Sequence, residues 1–256
     1  MTKRIIVYLL IALLAAAGVW FALRPGKRPV TEPPRAPEAV EARTVTFAGK
    51  LSARNVDLFL EAVNGKKITM LVISSGTGEI DAGIKMGAWV FDNRIDVTVE
   101  NLCLSSCANY VFTAGRRKII KPGAVVAWHG TALEESGLSD EEVRRSVTEN
   151  FNAWPEGDRE KANLEELIGK AIAQARQQRT ERLGRHLEFF RKIGVDESVC
   201  RIGNEKYGAR DFFFLSVKDM GRFGISGVEA PADYENTDLI FLLVKGKKIE
   251  FIRVGE

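Results

Sequence analysis

Between residues 44 and 130 the chain alternates between two hydrophobic rhythms, the two-residue period of strands and the 3.6-residue period of helices. Thr44 to Ala48 reads as a strand, and Ser52 is placed to cap a helix carrying Val56, Phe59, Leu60 and Val63 on one face. Ile68 to Ser74 is almost continuously apolar, as in a strand buried on both sides. A helix from about Asp81 follows, with Ile84, Ala88, Trp89 and Phe91 as its apolar positions. Then come a third strand, Ile95 to Leu102, and a short helix of small and apolar residues, Ser106 to Thr113. Lys118 to Ile120 and Ala124 to Trp128 are two more short strands around the turn Lys121-Pro122-Gly123. Such a β-α-β-α-β-α series predicts an α/β fold of parallel strands joined by right-handed crossovers.

The rhythm changes over residues 133–199, a helical insertion. Leu164, Leu167, Ile168, Ala171, Ile172, Ala175, Leu183, Leu187 and Phe190 recur at helical spacing among many charges, which predicts a long amphipathic helix that packs on the core or contacts another copy of the chain. The acidic and aromatic stretch from Leu133 to Pro155 is expected to form a mobile cover. Leu239 to Val244 and Lys248 to Val254, joined at Lys245-Gly246-Lys247, read as a terminal hairpin.

The N-terminus has a different pattern. Ile5 to Leu23 is apolar without a charge, and nineteen residues at helical rise span roughly 28 Å, close to the thickness of a bilayer's hydrocarbon core. Residues 1–23 therefore read as a transmembrane anchor. A cleaved signal peptide is the alternative, since Ala15-Ala16-Ala17 before Gly18 offers a cleavage site. Residues 24–43 interleave prolines with charges and almost no large apolar side chain, the composition of an extended spacer. The expected organisation is thus anchor, linker and one folded domain over 44–256, with the domain outside the cytoplasm.

Charge narrows the partners. The 37 Lys and Arg nearly balance 34 Asp and Glu, and no basic tract beyond the extreme N-terminus suits a nucleic-acid backbone. Two isolated histidines and three cysteines show no metal-ligand spacing, so neither a metal nor a cofactor is implied. In an oxidising compartment, a bridge from Cys103 or Cys107 to Cys200 is one option, and the sequence leaves the pairing open.

Candidate chemistry gathers near Ser106. A serine where a strand passes into a helix has an accessible hydroxyl, and the free N–H groups of Cys107 and Ala108 at the helix N-terminus favour a developing negative charge. The turn Ser74-Ser75-Gly76-Thr77-Gly78 could supply a further oxyanion donor, from Thr77 or Gly78. His129, 23 residues beyond Ser106 at a strand end, has the chemistry of a general base. The plainer reading makes Ser105 and Ser106 helix caps, His129 an ordinary strand-end residue and His186 a solvated or packing residue of the charged helix.

Taken together, Ile73-Ser74-Ser75-Gly76-Thr77-Gly78, then Ala82-Gly83, then Ser106 with Thr113-Ala114-Gly115, then His129, resemble the Clp protease catalytic subunit of the Clp/crotonase superfamily. Cys103-Leu104-Ser105-Ser106-Cys107-Ala108-Asn109-Tyr110 is similar to the serine motif of bacterial membrane-anchored or periplasmic Clp-peptidase-like proteins. The resemblance implies a spiral of β-α-β units, an oligomer, and a serine peptidase-like hydrolase acting on peptide or protein. It also implies Ser106 as nucleophile, His129 as base, and backbone N–H groups of Cys107 and of Thr77 or Gly78 as oxyanion donors. The family's Asn-Ser-Pro-Gly-Gly turn is altered here, with Thr77 in place of a glycine. The orienting acid falls on Asp211, which precedes Phe214-Leu215-Ser216 and Phe223-Gly224, with a one-residue shift from the family pattern. Glu205, Asp219 and a bare Ser-His dyad are alternatives. Two other functions compete: a Clp-like scaffold that binds peptides without turnover, and crotonase-type acyl-CoA chemistry, which would not need Ser106.

Overall fold

The computed structural model describes residues 43–130, 139–236 and 249–255. The expected membrane segment, almost all of the spacer and one arm of the terminal hairpin lie outside the described residues. Among the described residues no helix is long and apolar enough to cross a membrane.

The protein is a mixed α/β molecule with a mostly parallel sheet. The apolar runs become β1 (Thr44–Ala48), β2 (Met70–Ser75), β3 (Asp96–Leu104), β4 (Lys118–Ile120) and β5 (Val125–Ala127). Between them lie α1 (Ala53–Val63), α2 (Ile80–Asp92) and a π-helix, Cys107–Phe112, at the position expected for the short helix. Ser52 caps α1, its side-chain oxygen accepting the Asn55 N–H. The main sheet has the order β1-β2-β3-β4-β7, where β7 is Val228–Glu229, and each of these pairings is parallel.

β3 is the pivot. Its first half, Val97–Val99, pairs with β4, while Leu102–Leu104 pairs with β5, so two neighbours share one edge of a nine-residue strand. On its other edge the register against β2 shifts between Ile73↔Val99 and Ser75↔Cys103. Such an irregularity bends a strand and re-aims its side chains, here just before Ser106. Pairing with β5 also extends β3 two residues beyond the end that hydropathy suggested.

A second, two-stranded parallel sheet contains β6 (Phe212–Leu215) and β8 (Ile249–Ile252). β8 is therefore partnered by β6; the other arm expected of a hairpin, 239–244, falls outside the described residues. The two sheets are stitched where Trp128 and Phe213 exchange backbone hydrogen bonds of 2.7 and 2.9 Å in an antiparallel bridge. Both rings are fully buried and stack on one another.

The helical region holds α3 (Asp140–Asn152), α4 (Glu156–Arg159), α5 (Leu164–Ile193), α6 (Ile202–Tyr207) and α7 (Val217–Arg222). Of the stretch 133–155, expected as a mobile cover, residues 139–155 are described and are largely helical. Ser139 and Glu142 form a capping box that starts α3, α3 packs on α5, and Asp140 pairs with Arg176 and Arg179 of α5. α5 is a single 30-residue helix that Asn163 caps and Gly194 ends at a left-handed φ of +70°. Its last turns carry Phe189 and Phe190 into the core against Tyr110 of the π-helix.

Candidate active site

The site is built from the ends of three strands. Leu104 of β3 pairs with Ala127 of β5, and the Ser105 N–H donates to the Ala127 carbonyl at 3.0 Å. Ser106 and His129 thus leave the same end of two adjacent parallel strands, each two residues past that pair. The backbone then turns abruptly, with Ser105 at φ +53°, a conformation uncommon for residues with side chains.

A disulfide spans this turn. Cys103 and Cys107 are bonded, with Cα atoms 5.1 Å apart. The pairing that the sequence left open is therefore Cys103–Cys107 and not a bridge to Cys200. The strand-to-helix turn folds Cys107 back over Cys103 at a separation that disulfides bridge without backbone movement, whereas Cys200 is buried in the helical region after α5.

The helix that follows leaves its first donors open. Its earliest backbone bond past the turn runs from the Asn109 N–H to the Ser105 carbonyl at 2.8 Å, and among the described residues the Cys107 and Ala108 N–H groups donate to no backbone carbonyl. The same holds for the Thr77 and Gly78 N–H groups. The Gly78 turn lies directly on Ser106, whose hydroxyl donates to the Gly78 carbonyl at 3.1 Å. A Cβ at position 78 would stand 2.6 Å from Leu51 Cβ and 3.3 Å from Ser106 Cβ, so this approach requires glycine. From the other side Gly83 of α2 presses on Ser106, where an added Cβ would lie 3.1 Å from the serine Cβ. Ser106 is 1 % exposed.

His129 is more open, with its side chain 37 % exposed and its ring against Phe212 at 5.0 Å between centroids. Its Nε2 lies 3.9 Å from Asp211 Oδ1. The antiparallel Trp128–Phe213 bridge explains the meeting, because chains running oppositely through that pair bring 211 back towards 129 and 130. The rival acids are engaged elsewhere: Glu205 pairs with Arg201, and Asp219 accepts the Ser216 hydroxyl and pairs with Arg222. No hydrogen bond joins Ser106 to His129 among the described residues, since the serine proton is directed at Gly78.

One neighbour escaped the sequence reading. Asn109, 4 % exposed, donates from Nδ2 to the Gly130 carbonyl at 3.1 Å and ties the π-helix to the residue after His129. Its Oδ1 is buried without a hydrogen-bond partner. The available signal was a lone amide within an otherwise small and apolar helix. Of the two roles expected for His186, solvated or packing, the structure shows packing. Far from solvated, it is fully buried, with Nδ1 3.0 Å from the Tyr110 hydroxyl and Nε2 3.6 Å from Glu197 Oε2, too long for a full hydrogen bond. Burial holds its pKa below the ordinary value, partly countered by the Glu197 carboxylate.

Among the described residues no group of three or more His, Cys, Asp or Glu side chains could hold a metal ion. What the arrangement offers instead is a hydroxyl beside two pairs of open N–H groups, and an imidazole with a carboxylate behind it. Fold and site together define an α/β protein with a serine, a histidine and an aspartate brought to the ends of its strands. No protein-family model matches the chain, and comparison with curated proteins finds no match.

Proposed function

We propose that this protein is a membrane-tethered, serine peptidase-like hydrolase of Clp/crotonase architecture, with its folded domain outside the cytoplasm. The observation that carries the reading is the convergence of Ser106, His129 and Asp211 at neighbouring strand ends, although Asp211 lies 82 residues beyond His129 in the chain. In this reading Ser106 rotates about χ1 away from the Gly78 carbonyl, gives its proton to His129 and attacks a peptide carbonyl. The N–H groups of Cys107 and of Thr77 or Gly78 receive the oxyanion. His129 returns the proton to the leaving amine and then activates water to release the acyl group, while Asp211 orients the imidazole and stabilises its charged form. The split neighbours of β3, and a second sheet standing at the end of β5, support a spiral of β-α-β units. The Cys103–Cys107 disulfide supports an oxidising location for the domain, and the apolar run Ile5 to Leu23 supports the tether.

One observation favours a second reading, a Clp-like scaffold that binds peptides without turnover: the Ser106 proton is engaged by Gly78 rather than by His129. A fluorophosphonate probe applied to the purified full-length chain separates the two. The hydrolase reading expects labelling that disappears in Ser106→Ala and drops at least tenfold in His129→Ala and in Asp211→Asn. Labelling that persists in Ser106→Ala removes the nucleophile assignment, and an unlabelled wild type favours the scaffold.

A further inference from the structure

A cleft of about 490 Å³ opens on a different part of the molecule, where the C-terminal ends of α2, α5 and the π-helix meet the start of β4. Its volume is in the range of small-molecule sites. Lys118 lines it, and only 4 % of that residue is exposed. The ammonium donates to the carbonyls of Gly115 at 2.7 Å and Ser226 at 2.9 Å. An ammonium has three N–H donors, so one is left with no acceptor among the described residues. Among the described residues no carboxylate pairs with this cation, and an uncompensated buried charge is costly. Burial accordingly pulls its pKa down to about 8.

The same cleft is lined by Arg94, whose guanidinium forms no ion pair among the described residues. The other charges nearby are already matched, Arg116 with Asp96 and Asp92 with Lys192. The lining also includes the apolar side chains of Phe91, Ala114, Ile193 and Val195. We propose that this cleft binds a small organic carboxylate, its two oxygens meeting Arg94 and Lys118 and its short hydrocarbon chain lying on the apolar side chains. A planar carboxylate suits a guanidinium fork, whereas inorganic phosphate would leave the apolar side chains uncovered.

Calorimetric titration of the full-length chain with hexanoate, hexanamide and inorganic phosphate tests this. Saturable hexanoate binding at one site, at least tenfold tighter than hexanamide, is expected. Arg94→Ala, an exposed position that the fold does not use, should weaken it at least tenfold, and Arg94→Lys should restore part of the loss. Ser106→Ala should bind hexanoate as the wild type does, which keeps this outcome separate from any hydrolase activity. No hexanoate binding, equal binding of hexanamide, tighter binding of phosphate, or an unchanged Arg94→Ala would each overturn the assignment.

Discussion

Two buried ionisable side chains make the molecule's stability depend on pH in separate windows. His186 has a folded-state pKa depressed by burial, so in acid the unfolded chain takes up a proton that the folded one resists. Its contribution is intact above about pH 6.5 and is lost as the pH falls below that value. Urea melts of wild type and His186→Gln should diverge in acid, with the wild type losing stability the faster. Lys118 acts at the other end of the scale. Burial brings its folded pKa down to about 8 from an ordinary 10.5, so wild-type stability should rise with pH between these limits, on the order of 3 kcal/mol in all. Subtracting the curve of Lys118→Met isolates that increment; a flat difference would show that the ammonium is not desolvated.

At the scale of elements, close contact between α2 and the π-helix positions Ser106. A Cβ at Gly87 would stand 2.4 Å from the Tyr110 carbonyl oxygen, and one at Gly83 would stand 2.6 Å from the Tyr110 ring. Backbone cannot yield as a side-chain tip can. Gly87→Ala should therefore cost roughly 1–3 kcal/mol by overpacking, read as a lower urea midpoint, and Gly83→Ala somewhat less. The Cys103–Cys107 disulfide closes only a short loop, worth roughly 2 kcal/mol through chain entropy. Its larger role is to hold the turn at Ser105, so a Cys103→Ala, Cys107→Ala double variant should lose probe labelling more than it loses stability. The strand and helix order up to residue 130 was legible because it rests on local period: Ser52 as a cap and the apolar runs of β2 and β3 need no distant partner to be read. The nearness of His129 and Asp211, the partner of β8 and the burial of His186 were less so, since each depends on which segments meet. The disulfide pairing was not legible because spacing shows which cysteines are present but not how sharply the backbone turns between them.

The whole molecule carries a compartment-dependent prediction. Denatured full-length protein recovered from an oxidising compartment should leave one of its three cysteines open to alkylation, and all three after reduction. Three reactive thiols without a reductant would argue against a domain held outside the cytoplasm. The last consequence belongs to α5. Its fully buried side chains are Ile168 near one end and His186, Phe189 and Phe190 near the other, while the turns between are held by α3 and by exposed ion pairs such as Arg176–Asp140 and Arg185–Asp81. Exposed ion pairs contribute little to stability. The helix is thus anchored in the core at Tyr110, four residues after Ser106, and more lightly held along its middle turns. Amide hydrogens of 170–180 should exchange with solvent well before those of 186–193, and raised salt should widen that gap.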